Sequence, residues 1–241
     1  MNNKTTVDAI TLSYLRFQTP RENRRNIITF FILFLDFLGI FPLLGDPFSY
    51  DFFIAALIPT VLLHIWAIIY IVDPYRFELS YYLFFGIYGI VNTYVLFLVI
   101  QKFLYFHLNV ESKVPFLLGV LFLIGLLLAV NWINLKALYN GTYHKLQTKK
   151  SGNFSWIMAA SGLGYVLAQV MLTLIFNNSI KMMIIIIVLS LLSILPAYFS
   201  TSIHRYIFIR NNKDDLMKVY PQFALSKGER YKKSKKGGKK R

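Results

Sequence analysis

The sequence predicts an all-α, polytopic membrane protein: a bundle of six transmembrane helices with both termini cytoplasmic. Three observations carry that reading. Apolar residues make up 56% of the 241-residue chain, against roughly 45–50% in an ordinary soluble domain. They gather into blocks of about 18–22 residues, the length that crosses a hydrocarbon core of ~30 Å at 1.5 Å per residue. The 26 Lys and Arg residues are then spread very unevenly between the connectors.

The blocks fall at 26–44, 52–72, 79–100, 115–133, 156–176 and 181–203. None alternates as the ~10-residue strands of a membrane barrel do. Residues 1–25 form a polar, basic N-terminal segment. No small-residue cleavage site follows the first block, so that block is expected to stay as a span. Within the segment, "TTVDAITLSYLRF" can form an interfacial helix. Val7, Ile10, Tyr14 and Phe17 share one face, and Thr5 with Asp8 resembles a capping pair. Pro20 separates it from the basic stretch Arg21, Arg24 and Arg25.

With the N-terminus inside, 23 of the 26 Lys and Arg residues lie on the inner side; Lys102, Lys113 and Lys181 lie outside. The positive-inside rule therefore predicts both ends in the cytoplasm. The abundance of Phe, Ile, Lys, Asn and Tyr points to an AT-rich genome and a bacterial plasma membrane.

The first two connectors resemble each other. "DPFSYDFF" (46–53) and "DPYRFELS" (73–80) share Asp-Pro, two aromatics and a following acid. Pro ends a helix, aromatics suit the interface, and an acid favours the next helix N-terminus. Shared boundary chemistry explains the likeness without a duplication. Pro59 and Pro196 fall inside the second and sixth blocks and are expected to kink them. The sixth block, "MMIIIIVLSLLSIL" at its centre, carries bulky groups around much of its circumference and reads as partly lipid-facing.

Polar residues inside the blocks are the candidate site. Asp36 lies ten residues into the first block, ~15 Å from the inner boundary, and His64 in the second block lies at ~12 Å. A short connector makes these blocks antiparallel neighbours, so the two side chains are level. Asn92, Tyr165 and Gln169 approach the same slab from the third and fifth blocks. An ionisable group here costs ~2.5–3.5 kcal/mol on insertion scales and is by default a functional candidate. It can also remain protonated and join two helices, a bond worth only ~0.6 kcal/mol on average. Three readings stay open: holding helices together, moving a proton or ion, and meeting a polar group on another protein's span.

Small residues mark close packing. Ala160, Gly164 and Ala168 form one smooth face of the fifth block, and Gly125 and Ala129 repeat the spacing in the fourth. Such faces serve the bundle itself or a subunit interface with a second copy.

The tail from 204 onward is basic. "SKGERYKKSKKGGKKR" holds nine Lys/Arg and one Glu in sixteen residues and lacks the apolar content to fold. Lys232, Lys233, Lys235, Lys236, Lys239, Lys240 and Arg241 are expected to lie on the anionic inner leaflet, at ~1 kcal/mol each. Nucleic-acid contact through a basic tail is the lesser expectation.

Enzyme chemistry finds little support. There are no cysteines, which excludes thiolate sites and disulfides. No Walker motif, HExxH or nucleophile elbow occurs. "AASGLG" (159–164) lacks the glycine expected two positions before Ser161 in an intramembrane serine protease. No metal or other cofactor is expected.

The whole chain resembles, in pattern and not through any diagnostic string, small six-span proteins of low-GC Gram-positive bacteria. Some of these are encoded among toxin and immunity genes near type VII secretion clusters. That resemblance implies a protective or accessory role within the bilayer and carries over no functional residue. The leading expectation is a non-enzymatic protein acting through intramembrane helix contacts. The alternative is a small proton-coupled transporter using Asp36 and His64.

Overall fold

The computed structural model describes residues 18–143, 145, 177–213, 216–217, 220–221, 223 and 225–230. These residues are helical with no strand, and five helices are long and apolar enough to cross a membrane. They are α1 (Pro20–Leu44), α2 (Tyr50–Val72), α3 (Glu78–Phe106), α4 (Val114–Tyr139) and α5 (Asn178–Asn211). The expected fifth block, the N-terminal interfacial helix and the last eleven residues lie outside the described residues.

Each helix outruns its apolar block, because backbone hydrogen bonding continues where hydrocarbon length no longer limits it. α1 starts at Pro20, not 26. Thr19 caps it: its backbone N–H donates to Glu22 at 2.7 Å and its hydroxyl accepts from the Glu22 N–H at 3.3 Å. Pro20 then takes a first-turn position that needs no N–H donor. Arg21, Arg24 and Arg25 are therefore part of the helix, not a linker before it.

Phe31–Ile40 departs further from expectation, taking π-helical hydrogen bonding. The Phe41 N–H reaches back five residues to the Asp36 carbonyl. The buried positions give the reason. Ile27, Phe31, Leu35, Gly39 and Leu43 are all buried at a strict spacing of four. An ideal α-helix turns ~100° per residue, so four residues overshoot a full turn by ~40°. Over four steps that drift would carry Leu43 about 160° away from Ile27. The wider π turns cancel the drift and hold one face against α3. At Gly39 the fit is tight: a Cβ there would lie 2.7 Å from Val95 Cγ1.

α3 is the axis of the bundle, buried around most of its circumference. α1 runs parallel to it: the Tyr88 hydroxyl donates to the Phe30 carbonyl at 2.8 Å, and Lys102 reaches the end of α1. α2 runs antiparallel, with Trp66 and Tyr70 against Phe84. It stays continuous across Pro59. Pro59 has no N–H to offer the Ala55 carbonyl, and the Tyr94 hydroxyl donates to that oxygen at 3.4 Å. The expected kink at Pro196 has a counterpart: α5 is interrupted at Ser193 and again at Ser200–Thr201.

α5 lies antiparallel to α3 on two glycines. A Cβ at Gly86 would lie 2.5 Å from Ile203 Cγ1, and one at Gly89 would lie 2.6 Å from the Pro196 carbonyl oxygen. α4 is peripheral, burying only Asn134 and Leu138. It too runs antiparallel to α3, with Phe116 packed on Phe97. α4 and α5 thus run parallel, joined by a 2.8 Å hydrogen bond from Asn131 to Ser200.

The start of the tail also departs from expectation. Ser226 and Glu229 cap one another and Lys227–Arg230 forms a helical turn. Arg230 pairs with Glu78, which is 3% exposed, and its guanidinium lies 5.2 Å from the centre of the Tyr75 ring. Leu216 and Phe223 upstream are buried. Two apolar anchors, a local cap and one ion pair replace the apolar content that the segment from Ser226 lacks.

Candidate functional site

Asp36 projects from the π-helical stretch of α1 and His64 from the middle of α2. The structure brings them together: His64 Nε2 lies 3.3 Å from Asp36 Oδ1 and 3.4 Å from Oδ2. The other ring nitrogen, Nδ1, lies 2.9 Å from the Thr60 carbonyl oxygen, one turn back on α2. A carbonyl only accepts, so Nδ1 carries a hydrogen. A neutral ring then presents a bare Nε2 to the carboxyl group. A hydrogen bond between the two forms with a proton on either the carboxyl oxygen or Nε2.

The pair sits on the outer side of the α1–α2 seam. Both side chains are 43% exposed. They lie in the wall of a groove of about 490 Å³ lined by Ile28, Ile32, Val61, Ile65 and Ile68. Behind them the Phe31 ring meets His64 edge-on at 4.9 Å and stacks on Tyr88 at 4.8 Å. This aromatic layer separates the pair from the bundle axis.

Asn92 lies on the axis side of that layer. It is fully buried and donates to the Tyr88 hydroxyl at 3.0 Å. Its carbonyl oxygen has no partner among the described residues. The structure thus joins Asp36 with His64, and ties Asn92 to Tyr88 and α1 instead. Tyr165 and Gln169 lie outside the described residues, as do Ala160, Gly164, Ala168 and the basic residues Lys232 to Arg241.

Around Gly125 no described atom lies within 4 Å of a Cβ position. Among the described residues, Gly125 and Ala129 line an apolar groove of about 840 Å³ between α3, α4 and α5. Tight contacts fall at Gly86 and Gly89 and, on α4 itself, at Gly119, where a Cβ would lie 2.4 Å from Gln101 Nε2; sequence reading passed over all three. The i, i+3 spacing of Gly86 and Gly89 inside an aromatic run was the available signal.

Lys102 was also missed as an interior group. It is completely buried, and its ammonium donates to the carbonyls of Pro42, Leu43 and Gly45 at 2.9, 3.1 and 2.6 Å. It caps the negative end of α1 and satisfies carbonyls that lack helical partners. Next to it His107, just past α3, has its pKa pushed below the ordinary value. Burial is the main cause and the Lys102 charge adds to it, with a partial offset from the Asp46 backbone.

Comparison with protein-family models, with curated proteins and with solved structures found no match. The resemblance noted from the sequence rests on its hydropathy pattern alone.

Proposed function

We propose that this is a six-span plasma-membrane protein, both ends cytoplasmic, that docks another protein's transmembrane segment in the α1–α2 groove. One observation carries this reading: an ionisable pair, half-exposed, faces outward at mid-membrane. Left against lipid, such groups are costly. A helix with an apolar surface and one hydrogen-bonding side chain would fill the groove and complete the pair. The expected partners are a membrane-active toxin, which gives an immunity role, or a component of a secretion system.

Two features support the topology. Among the described residues, Arg21, Arg24, Arg25, Arg76, Lys136, Arg205, Arg210 and Arg230 gather at one end of the bundle. α4 and α5 also run parallel, an arrangement that the six-span reading accounts for.

The contact between Asp36 and His64 favours one alternative, a proton-coupled carrier. A carrier needs a polar path from the pair to both surfaces, and the aromatic layer of Phe31, Phe84 and Tyr88 lies on the axis side of it. Docking therefore accounts for more of the geometry.

Ile65 is 60% exposed in the groove, so Ile65→Trp should fill the groove without disturbing the core. The expected result is loss of a co-purifying membrane protein in mild detergent at unchanged abundance. A variant that keeps every partner of the wild type would overturn the docking reading.

A further inference from the structure

A second apolar groove, of about 840 Å³, lies between α3, α4 and α5. Its α4 wall carries Leu118 and Phe122, 59% and 61% exposed, beside the small residues Gly125 and Ala129. We propose that this groove is the seat of the chain's own fifth apolar block, 156–176, with Ala160, Gly164 and Ala168 turned to α4. The proposal rests on the six-span reading above.

The path of the chain points there. α4 ends at Tyr139 on the basic end, and α5 begins at Asn178 on the opposite end. The chain from 146 to 176 comes between them, outside the described residues. Its apolar block has the ~30 Å of a crossing at 1.5 Å per residue. Only Asn177 separates that block from α5, so the block belongs beside α5. α5 contributes Ile186, Ser190 and Ser193 to the groove. So short a tether also favours this block over the same block of a second copy.

Register agrees. Asn131 of α4 bonds Ser200 of α5, an offset of 69 positions between parallel helices. By that offset Leu118 is level with Ile187, Phe122 with Leu191 and Gly125 with Ile194. A helix turning back at Asn177 brings Ala168, Gly164 and Ala160 to those same three levels in turn. Two bulky side chains then meet small ones, and Ala160 meets Gly125, the small-residue contact that lets membrane helices approach closely.

Gln101 adds an independent polar signal. Its side chain is 2% exposed in the groove wall, and its carbonyl oxygen has no hydrogen-bond partner among the described residues. Such an oxygen costs free energy until a donor meets it. The same count brings Gln169 level with Ile186, which shares the groove with Gln101. The Gln169 amide then supplies the donor, and Gln169 serves this seat and not the Asp36–His64 pair.

The chain has no cysteine, so introduced pairs report without background. The full-length protein carries Leu118→Cys with Ala168→Cys, or Gly125→Cys with Ala160→Cys, and is oxidised in native membranes. A disulfide needs Cα atoms within about 7 Å. Leu128→Cys with Ala160→Cys is the control, because Leu128 is 67% exposed and outside the groove lining. Both test pairs should give a faster-migrating monomer that reverts with reductant, and the control should not. A dimer-sized product would assign the groove to a second copy and overturn the proposal. No product, or equal product from the control, would overturn it too. Gly164→Leu covers the case in which the cysteine pairs fail to fold. It should lose the monomer peak in size exclusion, and Phe122→Ala should restore it; an unchanged peak in Gly164→Leu counts against the seat. Labelling of Tyr143→Cys and Ser179→Cys with an impermeant maleimide separates the two readings. Opposite sides keep the six-span reading even where the disulfides fail, and the same side removes both.

Discussion

Lys102 and Asp36 are both ionisable groups inside apolar helices, and the protein treats them in opposite ways. Lys102 is wholly buried and all three of its donors are used, each on a carbonyl near the end of α1. Asp36 is half-exposed, held by one histidine at 3.3 Å, and opens onto an apolar groove. Complete satisfaction marks Lys102 as part of the architecture. Incomplete satisfaction at Asp36 is what the docking proposal rests on.

The largest effect should follow from breaking the satisfied group. Lys102→Met leaves the carbonyls of Pro42, Leu43 and Gly45 without this donor, at about 1–3 kcal/mol for the buried Leu43 group and less for the other two. The expected outcome is a fall in thermal midpoint or loss of the protein from membranes, measured by detergent-solubilised fluorescence size exclusion. A stable Lys102→Met protein would erase the contrast.

Next in size is the tail latch. Arg230→Gln removes one partner of a buried Glu78 and should destabilise by up to about 3 kcal/mol. The double variant Glu78→Gln/Arg230→Gln should recover part of the loss. Limited proteolysis, with faster cleavage near Ser226 in the single variant, reads this out.

Asp36→Asn should cost less than either. It keeps the shape and replaces a bond of a type worth ~0.6 kcal/mol on average. Abundance and melting should stay near wild type while partner retention falls. A collapse in stability would move Asp36 into the same class as Lys102.

The smallest effect is a pH dependence beside Lys102. The unfolded chain binds a proton at His107 near its ordinary pKa of 6.5, and the folded chain binds it only at lower pH. Below about pH 6.5 the unfolded state therefore holds more protons, and this contribution to stability is lost as pH falls. Melting at pH 5 and pH 7.5 should differ more for wild type than for His107→Gln.

How much of this was legible in the sequence depends on range. Block lengths and composition reveal the five described helices because a span must be long and apolar whatever it packs against. The level meeting of Asp36 and His64 follows from counting residues across one short connector. The facing of the pair does not, because it depends on the π stretch. That stretch is explained only by the buried run Ile27, Phe31, Leu35, Gly39 and Leu43, which looks like any other apolar set until burial is known. Gly86 and Gly89 were obscured by the aromatics between and around them. Lys102 read as a charge of an outer loop because its acceptors lie about sixty positions earlier in the chain. The Arg230–Glu78 pair spans 152 positions, beyond any local pattern.

The docking claim is tested most directly by a photo-crosslinking residue at Ile32, which is 61% exposed on the α1 wall of the groove. Irradiation in native membranes should give an adduct to a transmembrane segment of another protein, and Asp36→Leu should abolish it. Adducts confined to lipid, or to this chain's own residues, would contradict the account.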